Sequence, residues 1–166
     1  MSEPRQKNQE ETAKPLTVLF ICTGNTCRSP MAEVIARDIS EKTLHAPKCN
    51  FISAGLSVVT GDKAAEEANL AVAETGLILG ERPAQSLTEE MLQSADLVLT
   101  MSNAQRTLLL TRFPGYASKT FVLNRYVGTE NTDIEDPYGQ PLEIYRYTAI
   151  QLRDSLERLM DRLAAM

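Results

Sequence analysis

The sequence predicts an α/β protein, a mostly parallel sheet with helices on both faces. Strand-like apolar runs alternate with helix-periodic stretches along the chain, the pattern of parallel strands joined by crossover helices. The first run, Leu16-Thr17-Val18-Leu19-Phe20-Ile21, is almost wholly apolar, as expected of a strand covered on both sides. A loop, Cys22 to Ser29, leads from that run into a helix opened by Pro30. In such sheets ligands bind beyond the carboxyl ends of the strands, where this loop stands.

Each element has its own signal. Pro30 suits a first helical residue, and Met31, Val34, Ile35 and Ile39 follow at helical spacing. Phe51-Ile52-Ser53-Ala54 reads as the second strand, closed by Gly55. Asp62 is placed to cap a helix carrying Ala65, Ala68 and Val72 and ending near Gly76. Thr88 starts a short helix, with Glu89 and Glu90 where the helix dipole favours acids. Asp96 to Met101 is the third strand, Ser102 caps the helix that ends before Pro114, and Thr120 to Leu123 is the fourth strand. After a turn-rich stretch from Gly128 to Gln140, Pro141 opens a long last helix with Ile144, Leu152, Leu156, Leu159 and Leu163 on one face.

The bulk properties bound the function. The 166 residues, 43% hydrophobic and 23% charged, suit one domain with a proper core. Residues 1–15 are polar, mixed in charge and without the apolar core of a secretory signal, so they are expected to be a disordered extension before a single domain, 16–166. No apolar run approaches the ~20 residues of a membrane helix, and a net charge of −5 argues against nonspecific nucleic-acid binding. Three cysteines are poor material for a secreted disulfide framework, and the single histidine, His45, stands outside any Cys/His cluster that would supply the four ligands of a zinc site. The expected home is a reducing cytoplasm, with no metal and no cofactor.

The loop reads Cys22-Thr23-Gly24-Asn25-Thr26-Cys27-Arg28-Ser29-Pro30. A phosphate dianion needs converging donors and local positive charge. A tight loop running into a helix N-terminus supplies both, through a nest of backbone N–H groups and the helix dipole. Thr23, Gly24, Asn25, Thr26 and Cys27 are the residues of that nest. Gly24 gives freedom where the chain must curl, and Asn25 tolerates a left-handed bend while tying the loop with its side chain. The planar fork of Arg28 can hold two phosphate oxygens. The same field favours the thiolate of Cys22 as resident nucleophile, with Ser29 as a hydrogen-bond donor to the sulfur. Cys27 either packs under the loop or traps Cys22 in a reversible disulfide, and Cys49 reads as structural.

A leaving group also needs a proton. Asp136, in Asp136-Pro137-Tyr138-Gly139, is a candidate acid on the turn-rich stretch, with Glu135 and Asp133 as neighbouring alternatives. Pro137 biases Asp136 toward an extended conformation, and the Tyr138 ring can wall the pocket. Periodicity does not choose among the three acids.

Together these residues resemble the low-molecular-weight protein tyrosine phosphatase family. The loop is specific to it, and Ser53-Ala54-Gly55, Ser94 to Leu99 and Asp136-Pro137 are similar to its segments in the same order. The resemblance covers the chain from Leu16 onward. It implies a three-layer sandwich with a four-stranded parallel sheet, Cys22 as nucleophile, Arg28 as phosphate clamp, and Asp136 as general acid and then base. It further implies a phosphocysteine that water hydrolyses, with phosphorylated proteins as substrates.

Thr26 narrows the substrate. Most tyrosine-specific members carry a large aliphatic residue there, and Thr-Gly-Asn-Thr is similar to the bacterial protein-arginine phosphatases, although Tyr138 stands where phenylalanine is expected. Threonine makes the wall less suited to an apolar ring. A carboxylate on Asp136, helped by the field of Asp133 and Glu135, would hold a departing guanidinium. Phosphoarginine is therefore the favoured substrate and phosphotyrosine the alternative. A thiol-dependent arsenate reductase fits less well, because only Cys27 and Cys49 could relay electrons; a non-catalytic redox or phosphate-binding module would keep the loop but show no turnover of a simple aryl phosphate.

Overall fold

The computed structural model describes residues 14–166, so the expected extension lies outside the described residues apart from Lys14 and Pro15. Four strands, β1 (Leu16–Cys22), β2 (Cys49–Gly55), β3 (Leu97–Thr100) and β4 (Thr120–Val122), form one sheet in the order β2-β1-β3-β4. Every pairing is parallel, with Cys22 opposite Gly55 and Ile21 opposite both Ala54 and Thr100. β1 is therefore central, and its carboxyl end is flanked by those of β2 and β3.

Alternation along β1 divides the core. Val18, Phe20 and Cys22 face one apolar cluster, which also holds Met31, Ile35, Leu152 and Leu156. These come from α1 (Arg28–Lys42) and α6 (Leu142–Ala164), with α2 (Glu66–Ala73) packed on α6. Leu19 and Ile21 face the opposite cluster with Leu92 and Leu109, from α3 (Glu89–Ser94) and α4 (Asn103–Arg112). The three layers expected of the chain are present. Burying each such Leu, Ile or Phe contributes about 1.5–3 kcal/mol. Among the described residues no helix is long and apolar enough to cross a membrane.

Thr88 and Ser102 act as expected: their hydroxyl oxygens accept from the Met91 and Gln105 amides and cap α3 and α4. Four details differ from the sequence reading. Helix α1 starts at Arg28, so Pro30 is its third residue. Proline is tolerated there because first-turn amides have no intrahelical partner. Helix α2 starts at Glu66, and Asp62 does not cap it. The segment before α2 is extended instead, with the Ala84 amide donating to the Asp62 carbonyl (2.8 Å) beside a Lys63–Pro83 bridge. Leu123 leaves the sheet to begin α5 (Leu123–Val127), which stops at left-handed Gly128. On α6 the inward face runs through Tyr145 rather than Ile144, which is 41% exposed. Tyr145 lies seven residues before Leu152, two full turns, whereas Ile144 is rotated off that stripe.

Candidate active site

The loop after β1 wraps around a cavity of about 270 Å³. Cys22 ends β1 with its side chain buried, and its Sγ lies 2.9 Å from Ser29 Oγ on the first turn of α1. Asn25 sits behind the loop at φ 55°, the left-handed bend its side chain tolerates. Its Nδ2 donates to Ser29 Oγ (2.8 Å) and Ser53 Oγ (3.1 Å), and its Oδ1 accepts from the Gln85 amide (2.9 Å). The Gln85 contact fixes which way the Asn25 amide points. Ser29 Oγ accepts from Asn25, so its own hydrogen is left for the sulfur.

Gly24 is not left-handed; a Cβ there would meet only Thr26 Oγ1, at 3.6 Å. The glycine that the loop requires is Gly55, opposite Cys22 on β2. A Cβ at Gly55 would lie 2.8 Å from the Thr23 carbonyl oxygen and 3.0 Å from the Asn25 amide nitrogen. The Ser57 amide also donates to the Thr23 carbonyl (2.8 Å) and ties the next loop to this one. We expect Gly55→Ala to displace the nest and lower turnover of a simple aryl phosphate about 100-fold, the cost of misplacing reacting groups by about 1 Å. Wild-type turnover in that variant would contradict this account of the loop.

The N-terminus of α1 has no side-chain cap, so its first amides remain for an anion, as the dipole favours. Arg28 is buried at the mouth of the helix. Its Nη1 donates to the Ile134 carbonyl (2.9 Å), its Nη2 lies 3.6 Å from Asp136 Oδ2, and its Nε has no partner among the described residues. A buried donor without a partner is costly, and this one is available to an anionic ligand. Asp136 is half-exposed across the cavity and held by the Tyr138 amide, which donates to its Oδ1 (3.1 Å).

Thr23, Gly24, Thr26, Cys27, Arg28, Asp136 and Tyr138 line the cavity with Cys22. Asn25 and Ser29 do not line it; they brace the loop from behind. Asp133 and Glu135 are also absent from the lining, and Asp133 instead accepts from the Asn103 amide (2.9 Å) at the start of α4. Cys27 packs beneath the loop, its Sγ 3.5 Å from the Tyr145 hydroxyl. Burial pushes both the Cys27 thiol and the Tyr145 hydroxyl up from their ordinary pKa values. All three cysteines are free thiols.

Three further residues on the cavity wall, Ser57, Val59 and Asp62, were not singled out as site residues by sequence. They arrive on the loop tied to Thr23, and no local spacing marks them. Gln105 was missed as well: it donates to Thr23 Oγ1 (3.2 Å) and accepts from the Met101 amide (2.9 Å).

A family model described as low molecular weight phosphotyrosine protein phosphatase matches residues 17–166. A protein-arginine-phosphatase of Geobacillus stearothermophilus is 39% identical over 150 residues, 90% of this chain and 95% of that protein. A solved low molecular weight protein tyrosine phosphatase from T. tengcongensis is 41% identical with TM-score 0.83, covering 89% of this chain and 99% of that one. A solved YwlE arginine phosphatase, a cysteine-to-serine mutant with a phosphorylated active-site serine, is 36% identical with TM-score 0.83, covering 89% and 95%. The chain belongs to the low molecular weight phosphotyrosine protein phosphatase family and is a cysteine-dependent protein phosphatase.

Proposed function

We propose that the chain hydrolyses phosphoarginine on phosphorylated proteins through a phosphocysteine on Cys22. The observation that carries the reading is Thr26 on the cavity wall, where a short hydroxylated side chain suits a phenyl ring less well than a large aliphatic one would. The similarity to proteins named as arginine phosphatases supports it.

In the first step the loop amides and Arg28 Nε hold the phosphoryl oxygens, and the Cys22 thiolate attacks phosphorus in line. The S–P bond forms as the N–P bond breaks, and the electron pair passes to the guanidine nitrogen. That nitrogen takes the proton of the Asp136 carboxyl and leaves as a guanidinium. In the second step the Asp136 carboxylate removes a proton from water, which attacks phosphorus and expels the Cys22 thiolate. The Ser29 hydroxyl, oriented by Asn25, donates to the departing sulfur. Three free thiols fit a reducing cytoplasm as the place of action.

Phosphotyrosine remains the second reading, favoured by Val59 and by the Tyr138 ring at the cavity mouth. Thr26→Ile separates the two. Adding apolar bulk and removing the hydroxyl should shift the kcat/KM ratio at least about tenfold from phosphoarginine toward phosphotyrosine peptides. An unchanged ratio would remove Thr26 from the specificity argument.

A further inference from the structure

A phosphoarginine substrate poses a charge problem that Asp136 does not solve. The guanidinium carries a positive charge before transfer and again after it leaves. Asp136 must enter the first step protonated, and so neutral, if it is to serve as general acid. It gains its negative charge only once the N–P bond has broken. A second carboxylate that stays ionised throughout would answer the standing charge. Asp133 and Glu135 are absent from the cavity lining.

Asp62 does line it. Its backbone is held on both sides, its N–H donating to the Val59 carbonyl (3.0 Å) and its own carbonyl accepting from the Ala84 amide (2.8 Å). Among the described residues its carboxylate has no hydrogen bond and no ion pair. The adjacent Lys63 pairs with Glu81 instead (3.4 Å), and the Arg28 guanidinium lies against Asp136. Asp62 is thus an unpaired carboxyl side chain on a fixed backbone, in the lining of the cavity that also holds Cys22.

We propose that Asp62 is a specificity-determining residue that recognises the cationic guanidinium of the substrate through a charge-assisted hydrogen bond. This inference rests on the phosphoarginine reading. Because the substrate charge is the same in the ground state and the transition state, the contribution is uniform binding, so its loss falls on KM rather than kcat. Removing Asp136 affects kcat instead, which separates the two carboxylates.

The test compares wild type, Asp62→Asn and Asp62→Glu on a phosphoarginine peptide and on para-nitrophenyl phosphate, whose leaving group carries no positive charge. We expect Asp62→Asn to lower the ratio of the two kcat/KM values about five- to tenfold, as a rise in KM for the peptide, and Asp62→Glu to recover most of that ratio. A ratio within twofold of wild type would overturn the proposal, as would a loss confined to kcat or shared equally by both substrates. Wild-type preference for phosphotyrosine over phosphoarginine peptides would instead overturn the underlying reading, and the role of Asp62 with it. Wild-type preference for phosphoarginine with Asp62→Asn unchanged would overturn the role of Asp62 alone.

Discussion

Cys22→Ser is expected to lower turnover of any phosphorylated substrate roughly 10⁵-fold while leaving inorganic phosphate affinity within about threefold of wild type. A hydroxyl at this position is almost fully protonated at neutral pH and so a far weaker nucleophile than a thiolate. The oxyanion donors do not depend on it: the loop amides, the uncapped start of α1 and Arg28 Nε are held by Asn25, Gly55 and Ile134. Binding and chemistry therefore separate in this variant. Slow phosphorylation of the substituted residue, detected by mass spectrometry after prolonged incubation with substrate, is expected as well, because a phosphoserine would lack the good leaving group that releases the wild-type enzyme. Activity near wild type would reject covalent catalysis through Cys22, and loss of phosphate affinity would mean that the sulfur, not the nest, organises the site.

Asp136→Asn should cost about 10²–10³-fold in kcat with a phosphoarginine peptide and much less with para-nitrophenyl phosphate. The difference follows from the leaving groups. A guanidine departs as a strong base that is effectively always protonated in water, so its expulsion requires a proton. A nitrophenolate leaves as a stable anion and needs little help. Asparagine preserves shape and still accepts from the Tyr138 amide, which bonds Asp136 Oδ1 at 3.1 Å, so a collapsed loop does not explain the loss. Equal losses on the two substrates would show that Asp136 acts through Arg28, 3.6 Å away, rather than as an acid.

The loop that closes around the cavity was legible in the sequence because it is contiguous. The proposed nucleophile, nest, arginine and serine fall within eight residues, Cys22 to Ser29, and the apolar run before them fixes the end of a buried strand. Asn25 was read correctly as the left-handed bend. Residues that reach the site by long-range pairing carry no such mark. Asp62 resembled a helix cap because an Asp before an apolar-periodic stretch usually is one. Only the pairing of the segment before α2 with residues 82–84 pulls it into the cavity wall. Gly55 read as a strand end, whereas its lack of a side chain lets two backbone segments meet. Asp133, a neighbouring alternative to Asp136 in the sequence, accepts from the Asn103 amide at the start of α4. Asp136 could be chosen over its neighbours only through family resemblance, since its approach to Arg28 spans more than a hundred residues of chain.

The assignment of substrate is tested most directly by kcat/KM of the purified wild-type chain on two peptides of identical sequence, one carrying phosphoarginine and the other phosphotyrosine. The account predicts a preference for phosphoarginine of at least about tenfold, since the wall bears Thr26 and the cavity bears two carboxylates. Equal turnover or a preference for phosphotyrosine would contradict it.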